Sequence, residues 1–397
     1  MTQEKPQKIS LLMATIAGVN AMIGASIFIN PASLQVSVGP AAVVTYIGVI
    51  AAVWIMALAL ARVAALYPQA GAFYTYASAW GGHTMGVIAS VSYLCGLTLA
   101  MGLLTRLIGM YLSYYVPALP HTALSLIVLW SLIALTMAGA SLTKIGQMIL
   151  LILTIAPVLL IIGLCASKAS VSNLTPFMPH GYTSLVYAIK AVIFGFFGFE
   201  TATSLYNLVD QPEKNVPRAL TYSIIIVGAL YISFITAIFL ALPRSVFTSA
   251  EIPLSEALLA VFPEYTWLVD LLRASIIITI MGTLHALIWS LSELLCATIH
   301  RARKRVNLIP TQAVLLIGAI VSFNTLVFKN LGLFFNFCSI FLVFSFSASI
   351  AALLWGPATL RQGPQSRKTK LLGVAGLTVA LFIMGVAFFE VISLVTR

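Results

Sequence analysis

Charge is what this sequence has least of. Only 8% of its 397 residues are charged, ten of them acidic, against 61% hydrophobic. So little charge cannot clothe a soluble fold of this length, because charged side chains make up much of an ordinary protein surface. Cysteine is equally sparse. Cys95, Cys165, Cys296 and Cys338 all fall in or at the end of apolar runs without metal-ligand spacing, which argues against a disulfide framework and a metal centre. They read as small packing residues. Nothing in the pattern implies a cofactor or a metal.

Long apolar runs take the place of charge. A helix needs about 20 apolar residues to cross the hydrocarbon core, and about eleven such runs follow one another with short loops between them. The chain is expected to be an all-α polytopic membrane protein. The first run, from Ile9 to Val36, is far longer than the core of a signal peptide and reads as a retained helix.

The net charge of +11 invites a nucleic-acid reading, but the placement of the cations explains it better. Alternate ends of the runs carry Lys5, Lys8, Arg62, Lys144, Lys214, Arg218, Arg301, Arg303, Lys304, Arg305, Arg361, Arg367, Lys368 and Lys370. The opposite ends carry only Lys168, Arg244, Lys329 and Arg397. This is the positive-inside asymmetry, and it places the N-terminus in the cytoplasm of a multi-pass protein, expected in the cell (inner) membrane. The partners implied are the bilayer and a small molecule, with no nucleic acid; monomer and homodimer both remain open.

Two runs are interrupted. The first contains Asn20-Ala21-Met22-Ile23-Gly24-Ala25-Ser26-Ile27-Phe28-Ile29-Asn30-Pro31, where three small residues sit between bulky ones. A helix unwound at Gly24 to Ser26 frees backbone N–H groups at bilayer depth, tolerated only where they line a cavity or bind something. These amides would begin a half-helix whose dipole is positive, so the natural occupant is an anion such as a carboxylate. The plainer alternative is that small residues let a neighbouring helix pack close. The sixth run, Thr183 to Val209, repeats the anomaly in Phe194-Gly195-Phe196-Phe197-Gly198-Phe199-Glu200. Interruptions at corresponding places in two halves point to inverted repeats around a binding site. The predicted division is a core over residues 9–355, with repeat one at 9–166 and repeat two at 183–355, and an additional C-terminal transmembrane helix at 371–395.

Asn20 to Pro31 resembles the first-helix signature of the amino acid, polyamine and organocation transporters, usually an Ile-Gly-Ser-Gly-Ile-Phe core followed by Pro. Arg62 to Tyr76 is similar to the end of that family's second helix, and Gly198-Phe199-Glu200 with the loop Pro212 to Arg218 is similar to its sixth helix and the turn after it. The resemblance spans residues 9 to about 310. It implies ten helices in two inverted repeats of five, with helices one and six broken, and a secondary-active amino acid transporter working by alternating access. Carried over by position, Gly24, Ala25, Ser26 and Ile27 would face the substrate carboxylate, and Phe196, Phe197 and Phe199 would lie near the amine. Ile23, Phe194 and Gly198 stand beside them. Glu200 falls where proton-antiporting members, such as the arginine/agmatine exchanger, have a proton-sensing glutamate. Ser26 replaces the signature's second glycine and adds a hydroxyl that can bond a carboxylate. Where some members carry a lysine in helix five this chain has Thr154, which favours exchange or coupling through Glu200.

Other residues carry two readings each. Glu200 is costly inside a membrane and by default functional; otherwise it is a structural carboxyl bonded to a neighbouring helix. His285 reads as a proton sensor or a satisfied core histidine, and Trp289, one turn on, as a candidate gate. The phenylalanines of the sixth run form either a cage for a cationic group or ordinary packing. The competing functions are a polyamine or organic-cation carrier, a nutrient receptor that moves nothing, and an intramembrane enzyme built on His285 with Ser290 or Glu293. No catalytic spacing supports the last.

Overall fold

The computed structural model describes residues 8–247, 249, 253–302, 308–327, 331–361 and 366–395. Lys5, Arg303, Lys304, Arg305, Lys329 and Arg397 lie outside the described residues.

Helix α1 (Leu11–Met22) is capped by Ser10, whose Oγ accepts from the Met13 N–H at 3.3 Å. Its last turn ends because Ile23 leaves the helical region (ψ 88°), and α2 (Ser26–Ser37) resumes at 44° to it. Then come α3 (Ala42–Leu66), ended before Pro68, and α4 (Ala72–Leu112). Within α4, Gly82 (φ 71°) separates a short first segment from the long span. Helices α5 (His121–Met137) and α6 (Ala140–Ser167) complete the first half, and α6 runs on through Pro157. The second half begins with α7 (Thr183–Phe194), the break, and α8 (Thr201–Ser204). It continues through α9 (Pro212–Ala241), α10 (Leu254–Leu259), α11 (Leu268–Ala302), α12 (Pro310–Val327) and α13 (Leu331–Ile350). After α14 (Ala352–Trp355), α15 (Arg367–Val395) follows as the extra helix.

Among the described residues, eight helices are long and apolar enough to span alone, the bent pair α1/α2 makes a ninth, and α5 and α7 are shorter apolar helices. Apolar side chains along one side of α6, among them Ile149, Ile152 and Leu159, stay exposed, as expected where the solvent is lipid. The packing repeats itself between the halves. As α1 packs on α9, α7 packs on α3; as α4 packs on α12, α11 packs on α5. This pairwise exchange is what two inverted five-helix repeats produce. Helix α15 packs at the periphery on α3 and α13.

The two broken spans lie together at the centre, α1 against α8 and α2 against α7. At the face carrying the N-terminus they are clipped. The Ile9 N–H donates to Leu208 O at 2.7 Å, the Asp210 N–H to Ile9 O at 2.9 Å, and Lys8 Nζ to Asn207 O at 2.6 Å.

Candidate functional site

Between α1 and α2 the Gly24 N–H folds back onto Met22 O at 2.8 Å, while no backbone carbonyl takes the N–H of Ala25, Ser26 or Ile27. Three donors at the positive end of a twelve-residue helix are therefore open. The carbonyls on the other side of this break are held by side chains from distant helices. Thr283 Oγ1 lies 2.9 Å from Asn20 O and 2.8 Å from Ile23 O, and the Tyr231 hydroxyl lies 3.0 Å from Met22 O.

The second break runs from Gly195 to Glu200. The Tyr231 hydroxyl is also 3.0 Å from Gly195 O, so one side chain of α9 ties both breaks together. The carbonyls of Phe194 and Phe196 accept from the N–H groups of Phe197 and Phe199. Gly198 sits at φ 104°, pressed against Ala21 at the end of α1. Only glycine fits such a conformation without strain.

Both breaks open onto a cavity of about 360 Å³. Its walls include Gly24, Ala25 and Ser26 at the first break, Ile29, Asn30 and Ser33 further along α2, Ala191, Phe194 and Phe197 from the second broken span, Thr283 and Leu287 of α11, and a leucine-rich stripe of α4. The lining continues along α2 and α4 away from the clipped face. Among the described residues, none that lines it is charged.

The phenylalanines of the second break divide. Phe194 and Phe197 line the cavity, 6.1 Å apart and edge-on. Phe196 instead packs edge-on against Tyr231 at 5.2 Å, and Phe199 lies 5.2 Å from Phe346. Both are buried outside the lining, as are Ile23 and Ile27. Glu200 is fully buried and also outside the cavity. Its Oε1 accepts from the Tyr93 hydroxyl at 2.8 Å and its Oε2 from the Gly198 N–H at 3.2 Å. Tyr93 stacks on Phe73 at 4.1 Å, which places the carboxylate beside an aromatic cluster. Trp289 is buried on α11, outside the cavity lining.

A polar chain that sequence reasoning missed supports the first break. Asn20 Nδ2 donates to Gln147 Oε1 at 2.6 Å and to Gln147 O at 2.8 Å, and Gln147 Nε2 lies 3.0 Å from His285 Nδ1. With Gln147 Oε1 accepting, its amide nitrogen must donate, so the neutral imidazole carries its proton on Nε2. That atom has no partner in its buried position. Thr154 is buried nearby in sequence on α6, its Oγ1 likewise without a partner. The signal that could have found this chain is Gln147 itself, a lone amide in an otherwise apolar run. Ser290 bonds Leu287 O on its own helix at 3.3 Å, not His285.

The solved structure of MhsT in complex with L-phenylalanine has the same fold. It superposes with a TM-score of 0.70 over 97% of this chain and 99% of that one, at 15% identity. The fold is the LeuT type, that of a polytopic membrane protein. Residues 9–396 match the amino acid permease family, and the chain belongs to it. Relatives include an uncharacterized transporter of Mycobacterium tuberculosis, 26% identical over 99% of this chain and 93% of its own length. The branched-chain amino acid permease BcaP of Bacillus subtilis is 26% identical over 61% of this chain and 56% of its own. The aromatic amino acid transport protein AroP of Escherichia coli O157:H7 is 27% identical over 60% and 55%. This is a multi-pass membrane protein of amino acid transport.

Proposed function

We propose that the protein carries its amino acid by alternating access, with the substrate held between the two breaks. The observation that carries this reading is the cavity shared by both breaks, lined away from a clipped face. The carboxylate binds the open amides of Ala25, Ser26 and Ile27, flanked by Ile23 and Gly24, with the Ser26 hydroxyl beside them. The dipole of α2 favours the negative charge there. The amino group binds at the second break beside Phe194 and Phe197, where the carbonyl of Phe197 takes no backbone donor, with Phe196, Gly198 and Phe199 packed behind them.

Glu200 couples a proton to this geometry. As a carboxylate it accepts from both Tyr93 and Gly198; a proton on Oε2 displaces the Gly198 N–H and loosens the break. Trp289 is the gate towards the clipped face. The N-terminus is assigned to the cytoplasm, a reading supported by the excess of cations at that face, and the protein to the cell (inner) membrane, so the cavity faces outward and the clip inward. The repeats extend over 9–166 and 183–355, with 371–395 outside them. Transport is by exchange or linked to protons. A polyamine would meet no acidic wall among the described lining residues and no use for the open amides.

The test is uptake of a radiolabelled amino acid mixture into proteoliposomes, empty or preloaded, with Glu200→Gln beside the parent. Flux only into preloaded vesicles identifies an exchanger, and loss of pH dependence in the variant identifies Glu200 as the proton site. Absence of flux under every gradient, in folded protein, overturns the carrier reading.

A further inference from the structure

Resting on that reading of the site, we infer that the substrate is a neutral amino acid with a large apolar side chain, and that Ala100 sets the size it accepts. With the carboxylate and amine poles on the two breaks, the side chain must point to the remaining walls. Those are the leucine-rich face of α4 and Leu287 of α11, with Ile29 and Ser33 of α2 and Asn336 of α13. Leu97, Ala100, Leu104 and Leu107 recur at three- and four-residue intervals on α4 and so share one face. Leu287 of α11 and Phe197 border the same cavity. Ala100 is the small residue in this stripe, a notch between leucines one turn to either side.

The polar groups on the lining, Ser26, Asn30, Ser33, Thr283 and Asn336, are all uncharged, and two of them are already engaged. The Thr283 hydroxyl lies on the backbone carbonyls of Asn20 and Ile23, and Asn30 Nδ2 donates to Ala191 O at 2.9 Å. An ionised side chain would be desolvated against leucine with no opposite charge among the described lining residues, a cost that excludes it. An apolar side chain gains instead. Each buried methylene is worth about 0.8 kcal/mol, about fourfold in affinity, so leucine should bind roughly sixtyfold tighter than alanine.

The experiment is competition against labelled L-leucine in proteoliposomes by unlabelled leucine, phenylalanine, alanine, arginine and glutamate, for the parent and for Ala100→Phe. The parent is expected to rank leucine and phenylalanine well above alanine, with arginine and glutamate inert. The variant is expected to lose tenfold or more for leucine and phenylalanine while alanine is unchanged, a pattern that misfolding does not produce. Should Ala100→Phe fail to fold, Leu104→Ala serves: it enlarges the notch and should raise the relative affinity for tryptophan over leucine. Transport of arginine or glutamate in preference to leucine overturns the inference and leaves the carrier reading intact. So does an equal loss for alanine and leucine in folded Ala100→Phe. A folded parent that moves no amino acid overturns both.

Discussion

Gly198→Ala is the sharpest test of the central geometry. A side chain at φ 104° lies in a region that costs about 1–3 kcal/mol for a non-glycine residue. The new Cβ would also lie 2.7 Å from Ala21 O, 2.8 Å from Ala21 C and 2.9 Å from Ala21 Cβ. None of these is the far end of a flexible side chain, so α1 or the second break must move, at about 1–3 kcal/mol for overpacking. The sum is about 2–6 kcal/mol. Moving Gly198 also shifts the N–H that Glu200 accepts and the carbonyls of its neighbours. If the cost falls on the substrate-binding arrangement, affinity drops by about thirtyfold or more, at 1.4 kcal/mol per decade. If it falls on the whole fold, the melting temperature in detergent drops instead. Gly385→Ala is the control, since nothing lies within 4 Å of its Cβ position in α15; it should be neutral or stabilise by up to about 1 kcal/mol. A Gly198→Ala protein that melts within about 1 °C of the parent and binds substrate equally well would refute the packing argument.

Tyr231→Phe removes the hydroxyl that lies on both Met22 O and Gly195 O. Two buried carbonyls then lose a partner, and the expected destabilisation is about 1–3 kcal/mol, read as a lower melting temperature; an unchanged value would mean the carbonyls find other donors. Asn20→Ala severs two hydrogen bonds to Gln147 and should weaken substrate binding while leaving helix content unaltered by circular dichroism. Full affinity in that variant would show that the Asn20–Gln147–His285 chain does not brace the first break.

That the chain is a many-spanning membrane protein was legible in the sequence, because hydrocarbon thickness dictates how long an apolar run must be. The sequence also placed both interruptions, because small residues at Gly24 to Ser26 and glycines at Gly195 and Gly198 are local properties of the chain. The structure unwinds residues 23–25 and 195–200, within a residue or two of those positions. What local pattern could not decide is which way a residue faces. Phe194 and Phe197 reach the cavity while Phe196 and Phe199 pack on Tyr231 and Phe346, since an irregular backbone has no fixed period from which to read a face. The leucine stripe of α4 was invisible for a related reason: in a helix apolar on every side, a cavity wall and a lipid-facing surface have the same composition. The contacts that hold the site belong to tertiary structure alone, joining Asn20 to Gln147, Gln147 to His285 and Tyr93 to Glu200 across more than a hundred residues each. Inside a membrane a polar group must find a protein partner, and only the packing of whole helices decides which one it meets.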